Sequence, residues 1–440
     1  MLAYRAGAPI TAGHFLADVE RVAAALAPGS HVLNACEDRY RFAVGFGASL
    51  VTGKVSLLPS TRTPEVIAQL KRFAPDAFCL TDASDCDVAL PRVRFPEADA
   101  AAPGASTGGF RVPSIDADAR AAWVFTSGST GTPVPHEKTF GRNLIACVRV
   151  EAQRLGLPER PACAIVATVP PQHMYGLESS VLMPLSNGHA LVAERPFYPA
   201  DICAALAAVP RPRVLVTTPL HLRALMASGL AVPATDLIVS ATAPLSGQLA
   251  SEVEERCATR LLEIYGTTET GTIAARCTTQ TPEWRLWPGV RLEPRDGGTF
   301  ACGGHVAQPI RLLDVLEVTG SDCFLLHGRI ADLVNIAGKR SSLAYLNHQL
   351  NSIPGVIDGA FFHGDSPSGD AAVTRVGACV VAPGLDPAAI NAELRRRLDP
   401  VFLPRPLLLV ASLPRTSTGK LPEAALRSLA AAQQKPPAAE

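Results

Sequence analysis

Apolar positions near the start of the chain recur first at helical and then at strand spacing. From Thr11, a residue suited to capping a helix, Phe15, Leu16, Val19, Val22, Ala23 and Leu26 repeat every three to four positions until Pro28-Gly29 stops the pattern. His31 to Leu33 then reads as a strand, Tyr40 to Thr52 as a helix and Val55 to Leu58 as a second strand. Such alternation predicts a parallel sheet covered by helices. The rhythm returns further on: Ala121 to Phe125, Ala164 to Val169, His189 to Ala193, Val214 to Thr217 and Leu237 to Val239 are apolar runs of strand length. Glu97 to Ala117, rich in Ala, Gly, Pro, Ser and Asp, is predicted to be a surface loop. No internal repeat or extended low-complexity segment interrupts the pattern.

The segments that follow several of these strands carry the chemistry. Ala121-Ala122-Trp123-Val124-Phe125 runs into Thr126-Ser127-Gly128-Ser129-Thr130-Gly131-Thr132-Pro133. Glycines there let the backbone approach an anion, and the hydroxyls donate to phosphate oxygens beside the amides, so the expected ligand is a polyphosphate. A Walker loop would need Lys and then Ser or Thr after the last glycine, whereas Gly131 is followed by Thr132 and Pro133. Three further stretches follow in order: Tyr265-Gly266-Thr267-Thr268-Glu269-Thr270 after Leu261-Leu262-Glu263-Ile264, Gly328-Arg329-Ile330-Ala331-Asp332 after Phe324-Leu325-Leu326, and Leu413-Pro414-Arg415-Thr416-Ser417-Thr418-Gly419-Lys420.

Together these four stretches resemble the core motifs of the acyl-adenylate-forming superfamily, which includes acyl-CoA synthetases, aryl-acid ligases and the adenylation domains of peptide synthetases. The resemblance runs from Gly29 to Leu421. It implies that Thr126, Ser127, Gly128, Ser129, Thr130, Gly131 and Thr132 grip the β- and γ-phosphates of ATP. Thr268 is then implied to contact the α-phosphate, Glu269 to hold Mg²⁺, and Tyr265 to stack against adenine. Asp314 stands fifteen positions before Arg329, the spacing at which the family places its ribose-binding carboxylate, and Arg329 matches the motif arginine that also reaches the nucleotide. Lys420 matches the catalytic lysine, a point charge bridging the substrate carboxylate and the α-phosphate.

Some positions depart from the family pattern. After Pro133 the family commonly has Lys, but this chain reads Val134-Pro135-His136-Glu137-Lys138, so either Lys138 takes over that charge or the role is absent. Ala331 stands at a hinge position often filled by Asp or Lys. In Ser240-Ala241-Thr242-Ala243-Pro244-Leu245, which is similar to the adenine-side loop, Ala241 and Thr242 replace the usual glycines. His173 matches the aromatic or histidine gate of the acyl pocket, and Tyr175, Ser179, Thr217, Thr218 and Ser240 are candidate lining residues. That mixture of hydroxyls and apolar wall suits a small aromatic or hydroxylated acid better than a long chain. No early pocket Asp is identified, which disfavours an amino acid.

Composition narrows the partners. Lys plus Arg and Asp plus Glu number 40 each in 440 residues, and no dense basic block would attract nucleic acid or an anionic membrane. The 11 cysteines are scattered without C-x-x-C or zinc-like spacing, as expected of reduced thiols, and no apolar run approaches membrane-spanning length. A cytoplasmic protein is expected. The expected fold is α/β, with a large N-terminal domain of α/β subdomains over residues 1–328, a small mobile α+β C-terminal domain over 329–432, and a disordered tail over 433–440. The compact N-terminal part reads as a trimmed subdomain with the catalytic portion kept.

The expected activity is ATP-dependent activation of a small carboxylic acid, with an aromatic one among the candidates, to an acyl-adenylate, then transfer to CoA or to the phosphopantetheine of an acyl carrier protein. The compact chain and the segment 132–138 look like stand-alone ligases of aryl-polyene and xanthomonadin-type pigment pathways. The alternatives are a short- or medium-chain acyl-CoA synthetase and a non-catalytic nucleotide-binding protein of the same fold.

Overall fold

A computed structural model describes residues 1–59, 61–97, 112–127, 133–329, 332–336, 339–364, 375–416 and 421–434. Thr11 caps the first helix, Ala12–Ala25, by accepting a hydrogen bond from the amide of His14, and Asp38 caps Arg39–Val51 in the same way through Arg41. The strands between and after these helices build two sheets. One runs in the order Arg92–Arg94, Phe78–Thr81, His31–Asn34, Val55–Leu58, Arg120–Ser127, Pro133–Thr139. Its pairs are parallel except the last, where Pro133–Thr139 returns antiparallel beside Arg120–Ser127.

The larger sheet has eleven strands among the described residues. Its centre is parallel: Ala190–Val192, Ala164–Ala167, Arg213–Thr217, Leu237–Ser240 and Leu261–Thr267 lie side by side. These strands are buried almost throughout, which is why they read as continuous apolar runs instead of alternating ones. Antiparallel strands extend it at one end through Gly271–Arg276, Trp284–Leu286, Cys323–Arg329 and Asp314–Val318. One apolar core joins both sheets, reaching from Val19 and Phe42 to Trp287 and Phe324, and a second covers the opposite face of the large sheet. A three-stranded antiparallel sheet, Arg291–Arg295, Gly298–Gly303 and Val306–Arg311, precedes Asp314.

From Leu333 the character changes. A strand pair, Leu333–Ile336 with Lys339–Ser342, leads into the helix Leu343–Asn351, and Asp358–Gly364, Arg375–Val381 and Leu407–Leu409 form a mixed sheet. Two clusters composed only of residues from Val334 onward fill this part. The last helix, Glu423–Gln434, takes in the first two residues of the expected tail, because Leu426 and Ala430 pack at helical spacing against Phe362 and Cys379; residues 435–440 lie outside the described residues.

Candidate active site

In an open α/β sheet, ligands bind beyond the carboxyl ends of the parallel strands. Thr217 and Ser240 are cross-strand neighbours at two such ends, and Leu261–Thr267 lies next to them. That third strand passes through Tyr265, shifts register at Gly266, and turns back as Gly271–Arg276. A Cβ on Gly266 would stand 2.3 Å from the carbonyl oxygen of Gly271, so the narrow bend requires glycine. The turn is tied internally: the amide of Thr267 donates to Thr270 Oγ1 at 3.2 Å, and the amide of Thr270 donates to Thr267 Oγ1 at 3.1 Å. Thr268 and Glu269 therefore stand half-buried at its tip.

The strand Pro133–Thr139 runs beside this tip. His136 and Lys138, two positions apart, both meet Glu269: His136 Nε2 is 3.5 Å from Glu269 Oε1, and Lys138 Nζ donates to the Glu269 carbonyl at 2.6 Å. His136 Nε2 is also 2.9 Å from Thr126 Oγ1, which joins the first motif to the second. Burial lowers the affinity of both His136 and Lys138 for their protons, while the nearby carboxylates act the other way. Gly128, Ser129, Thr130, Gly131 and Thr132 lie outside the described residues; Ser127 pairs with Pro133 at the end of the strand pair that flanks them.

The nucleotide-side candidates also come together. Tyr265 donates its hydroxyl proton to Asp314 Oδ2 at 2.6 Å and packs against both Trp284 and Phe324, with ring centroids at 5.6 and 5.5 Å. Asp314 pairs directly with Arg329 across the antiparallel strands, so the fifteen-residue spacing is that of a hairpin. Ile330, Ala331 and Ser417, Thr418, Gly419 and Lys420 lie outside the described residues. The approach to Lys420 is anchored, since Arg415 grips Asp358 with two hydrogen bonds of 2.7 and 2.8 Å and Arg223 reaches the same carboxylate at 3.4 Å.

On the acyl side, His173 immediately precedes the helical turn Met174–Gly176, and a π-wound segment, Leu177–Leu182, continues it. Several hydroxyls expected there are engaged within the protein. Tyr175 donates toward the carbonyls of Thr217 and Val239 at 3.3 and 3.1 Å, Ser179 donates to Glu151 at 2.6 Å, Thr217 bonds Thr168 at 2.9 Å, and Thr218 bonds His221 at 2.9 Å. Ser240 Oγ, fully buried, has no hydrogen-bond partner among the described residues. Thr242 adopts φ +78°, so the backbone keeps a glycine-like conformation where the sequence has Thr, at a cost on the order of 1 kcal/mol.

Four residues of this region carry no motif signal: His136, Glu151, Glu178 and Arg39. Glu151 and Glu178 are wholly buried, although the polar residues around them, Arg149, Gln153 and Arg154 beside Glu151 and Ser179 and Ser180 beside Glu178, give no sign of it in the sequence. Burial, reinforced by the charge of Glu178, pushes Glu151 up to about 8; burial, opposed by Lys138, pushes Glu178 up to about 7. Arg39 is fully buried and donates to the carbonyls of Ala167, Val169 and Glu194 and to Ser180 Oγ at 2.6 to 3.1 Å, holding strand ends beside the site.

No group of three or more His, Cys, Asp or Glu suited to a metal occurs among the described residues. A single half-exposed carboxylate, Glu269, fits the way Mg²⁺ is commonly held, by one carboxylate together with substrate phosphates. When bound there, the ion would neutralise phosphate charge. No helix among the described residues is long and apolar enough to cross a membrane.

Comparison with known proteins agrees with this geometry. Residues 2–295 match the family described as AMP-binding enzyme. A 4-coumarate–CoA ligase from Rhodobacter capsulatus is 30% identical over 301 residues, covering 67% of this chain and 73% of that protein. A sulfoacetate–CoA ligase from Cupriavidus necator is 24% identical over 351 residues, covering 70% and 67%. Among solved structures, ATP-bound MatB from Rhodopseudomonas palustris superposes with a TM-score of 0.80 at 21% identity over 97% of this chain and 95% of that one. The AMP complex of o-succinylbenzoate CoA synthetase from Bacillus subtilis gives 0.78 at 17%, over 96% and 94%. With the strand Pro133–Thr139 of one sheet brought against the motif turn of the other, the Tyr265–Asp314 pair on the same large sheet, and a family match over most of its length, the chain belongs to the AMP-binding enzyme family of acyl-adenylate-forming, AMP-forming acid–thiol ligases.

Proposed function

We propose that this enzyme activates a small aromatic carboxylic acid with ATP and passes the acyl group to a phosphopantetheine thiol, the reactive group common to CoA and carrier proteins. In the first step a carboxylate oxygen attacks the α-phosphorus, the bond to pyrophosphate breaks, and an acyl-adenylate forms. In the second the thiolate sulfur attacks the acyl carbon and AMP leaves. Both steps depend on positioning and on charge stabilisation more than on proton transfer.

The carrying observation is the contact chain from Thr126 through His136 to Glu269, which joins the phosphate strand to the motif turn. In this reading Thr126 to Thr132 hold the outer phosphates, Thr268 orients the α-phosphate, Glu269 holds the metal, and Asp314 accepts from the ribose hydroxyls while Tyr265 fixes its carboxylate. Arg329 supplies fixed positive charge at the nucleotide, and Lys420 bridges the attacking carboxylate and the α-phosphate. His173, Tyr175, Ser179, Thr218 and Ser240 shape the acyl side; Ser240 has the buried hydroxyl left to bind a substituent. The names of the 4-coumarate–CoA ligase relatives support an aromatic acid and CoA. The separate clusters beyond Val334 support a small domain, residues 329–432, that turns about 329–331 between half-reactions.

Pyrophosphate exchange across a panel of benzoates, cinnamates and short aliphatic acids tests this reading. Exchange with aromatic acids is expected; exchange with aliphatic acids alone would make the enzyme a short- or medium-chain synthetase, and none with any acid would favour a binding role. Running the second step with CoA and with a phosphopantetheinylated carrier protein in parallel identifies the acceptor.

A further inference from the structure

Lys138 and Glu178 have no part in the steps above, yet both are buried, at 3% and 1% exposure, and both hold the turn that carries Thr268 and Glu269. Lys138 Nζ donates to the Glu269 carbonyl at 2.6 Å. Beyond the tip, Glu178 Oε2 accepts from the amide of Thr272 at 3.1 Å. Glu178 Oε1 lies 2.5 Å from where a Cβ on Gly271 would stand, and Gly271 has φ +74°. The carboxylate therefore reaches this backbone only because residue 271 lacks a side chain. Each ion also supports the other's charge through the interior.

Buried charges are a poor source of net stability, since well-packed apolar residues of the same volume often do as well. What charged groups provide is direction: an ammonium on one carbonyl and a carboxylate on one amide permit a single placement of the turn. That placement matters, because a misplacement of about 1 Å in a catalytic group can cost on the order of a hundredfold in rate. Glu178 also lies on the helical segment that bears Ser179 and follows Tyr175, so the same clamp ties the acyl side to the phosphate side.

We infer that Lys138 and Glu178 are positioning residues that clamp the Thr267–Gly271 turn against the phosphate strand, so that Thr268 and Glu269 meet a polyphosphate without rearranging. Lys138 thus acts beneath the turn and does not stand in for a lysine facing the phosphates. The inference rests on the proposed ATP-contacting role of that turn.

The test uses the full chain and two readouts: Mg·ATP binding by calorimetry without acid, and Michaelis parameters in pyrophosphate exchange. Lys138→Met is expected to weaken ATP binding roughly 10- to 30-fold and raise KM for ATP in parallel, while KM for the acid changes less than about 3-fold. Lys138→Arg should restore most of the loss. Glu178→Gln should weaken ATP binding by about 3- to 10-fold, and the double variant should lose less than the two single losses combined, because each ion is uncompensated once the other is gone. Unchanged ATP binding in Lys138→Met, or equal losses in ATP and acid KM, would overturn the clamp. If Lys138→Met does not fold, Glu178→Gln and Lys138→Arg decide by the same ATP titration. A wild-type chain that binds Mg·ATP but exchanges with no acid would refute the proposed activity, and the calorimetry would still decide the clamp.

Discussion

Glu151→Gln should make the protein more stable, and increasingly so as pH rises. Glu151 lies on the helix Ala146–Arg154 with no exposed surface, and its carboxyl accepts from Ser179 Oγ at 2.6 Å and Thr272 Oγ1 at 3.2 Å. Burial first, and the charge of Glu178 second, lift it from 4.5 to about 8. Between these values the folded chain holds a proton that the unfolded chain has released, so stability falls as pH increases; it is fully retained below about 4.5 and lost by the time pH passes about 8. Each pH unit of that span is worth a factor of ten in the folding equilibrium, which sets a ceiling on the order of 5 kcal/mol. Relaxation and water penetration around a buried carboxylate reduce such a penalty, leaving on the order of a few kcal/mol at alkaline pH. Glutamine keeps an acceptor for Ser179 and offers Thr272 a donor, without a charge to bury. Urea unfolding of both proteins at about pH 5.5, 7 and 8.5, followed by tryptophan fluorescence, measures the difference. Trp287 is a suitable reporter, since its Nε1 donates to Thr272 Oγ1 at 3.3 Å. A stability difference that stays constant from the lowest pH to the highest would refute the claim that Glu151 is held protonated.

Lys420→Ala should slow adenylation by roughly two to three orders of magnitude with little effect on unfolding; full pyrophosphate exchange in the variant would remove Lys420 from the mechanism. Glu269→Gln should make turnover more dependent on added Mg²⁺, and an unchanged Mg²⁺ titration would count against its metal role. Asp314→Asn keeps an acceptor for Tyr265 but loses the carboxylate for a diol, so KM for ATP should rise about tenfold with kcat less affected; an unaltered KM would exclude ribose binding. Ala331→Pro should slow one half-reaction far more than the other by fixing φ at the hinge, and equal rates in both steps would reject that hinge.

The motif turn was legible because its parts are contiguous: an apolar strand, Tyr265, a bend that requires Gly266, and polar residues at the tip. The Asp314–Arg329 relation was legible for a similar reason, as a constant spacing maps onto one hairpin. The expected glycine requirement in the adenine-side loop reads differently in three dimensions, where Thr242 accepts the positive φ itself. The pocket hydroxyls show what a list of residue types leaves out. Tyr175, Ser179, Thr217 and Thr218 have the chemistry to bind a substrate, but each bonds a protein group, for all but Thr218 one far away in sequence, leaving Ser240 as the one with its bond unmade among the described residues.

From the order of its amino acids alone, this chain determined its alternating strands and helices and the four motif stretches that mark its family, because each depends on neighbours within a few positions. Tertiary structure decided which charges meet. Lys138 reaches Glu269 across 131 positions and Thr272 joins Glu178 across 94, and only folding creates the dry interior in which one ammonium and two carboxyls acquire a defined geometry and shifted proton affinity. Desolvation is a property of the packed neighbourhood and has no period along the chain, so the contacts of Lys138 and Glu178 on the Thr267–Gly271 turn became visible only once the sheets had brought their two ends together.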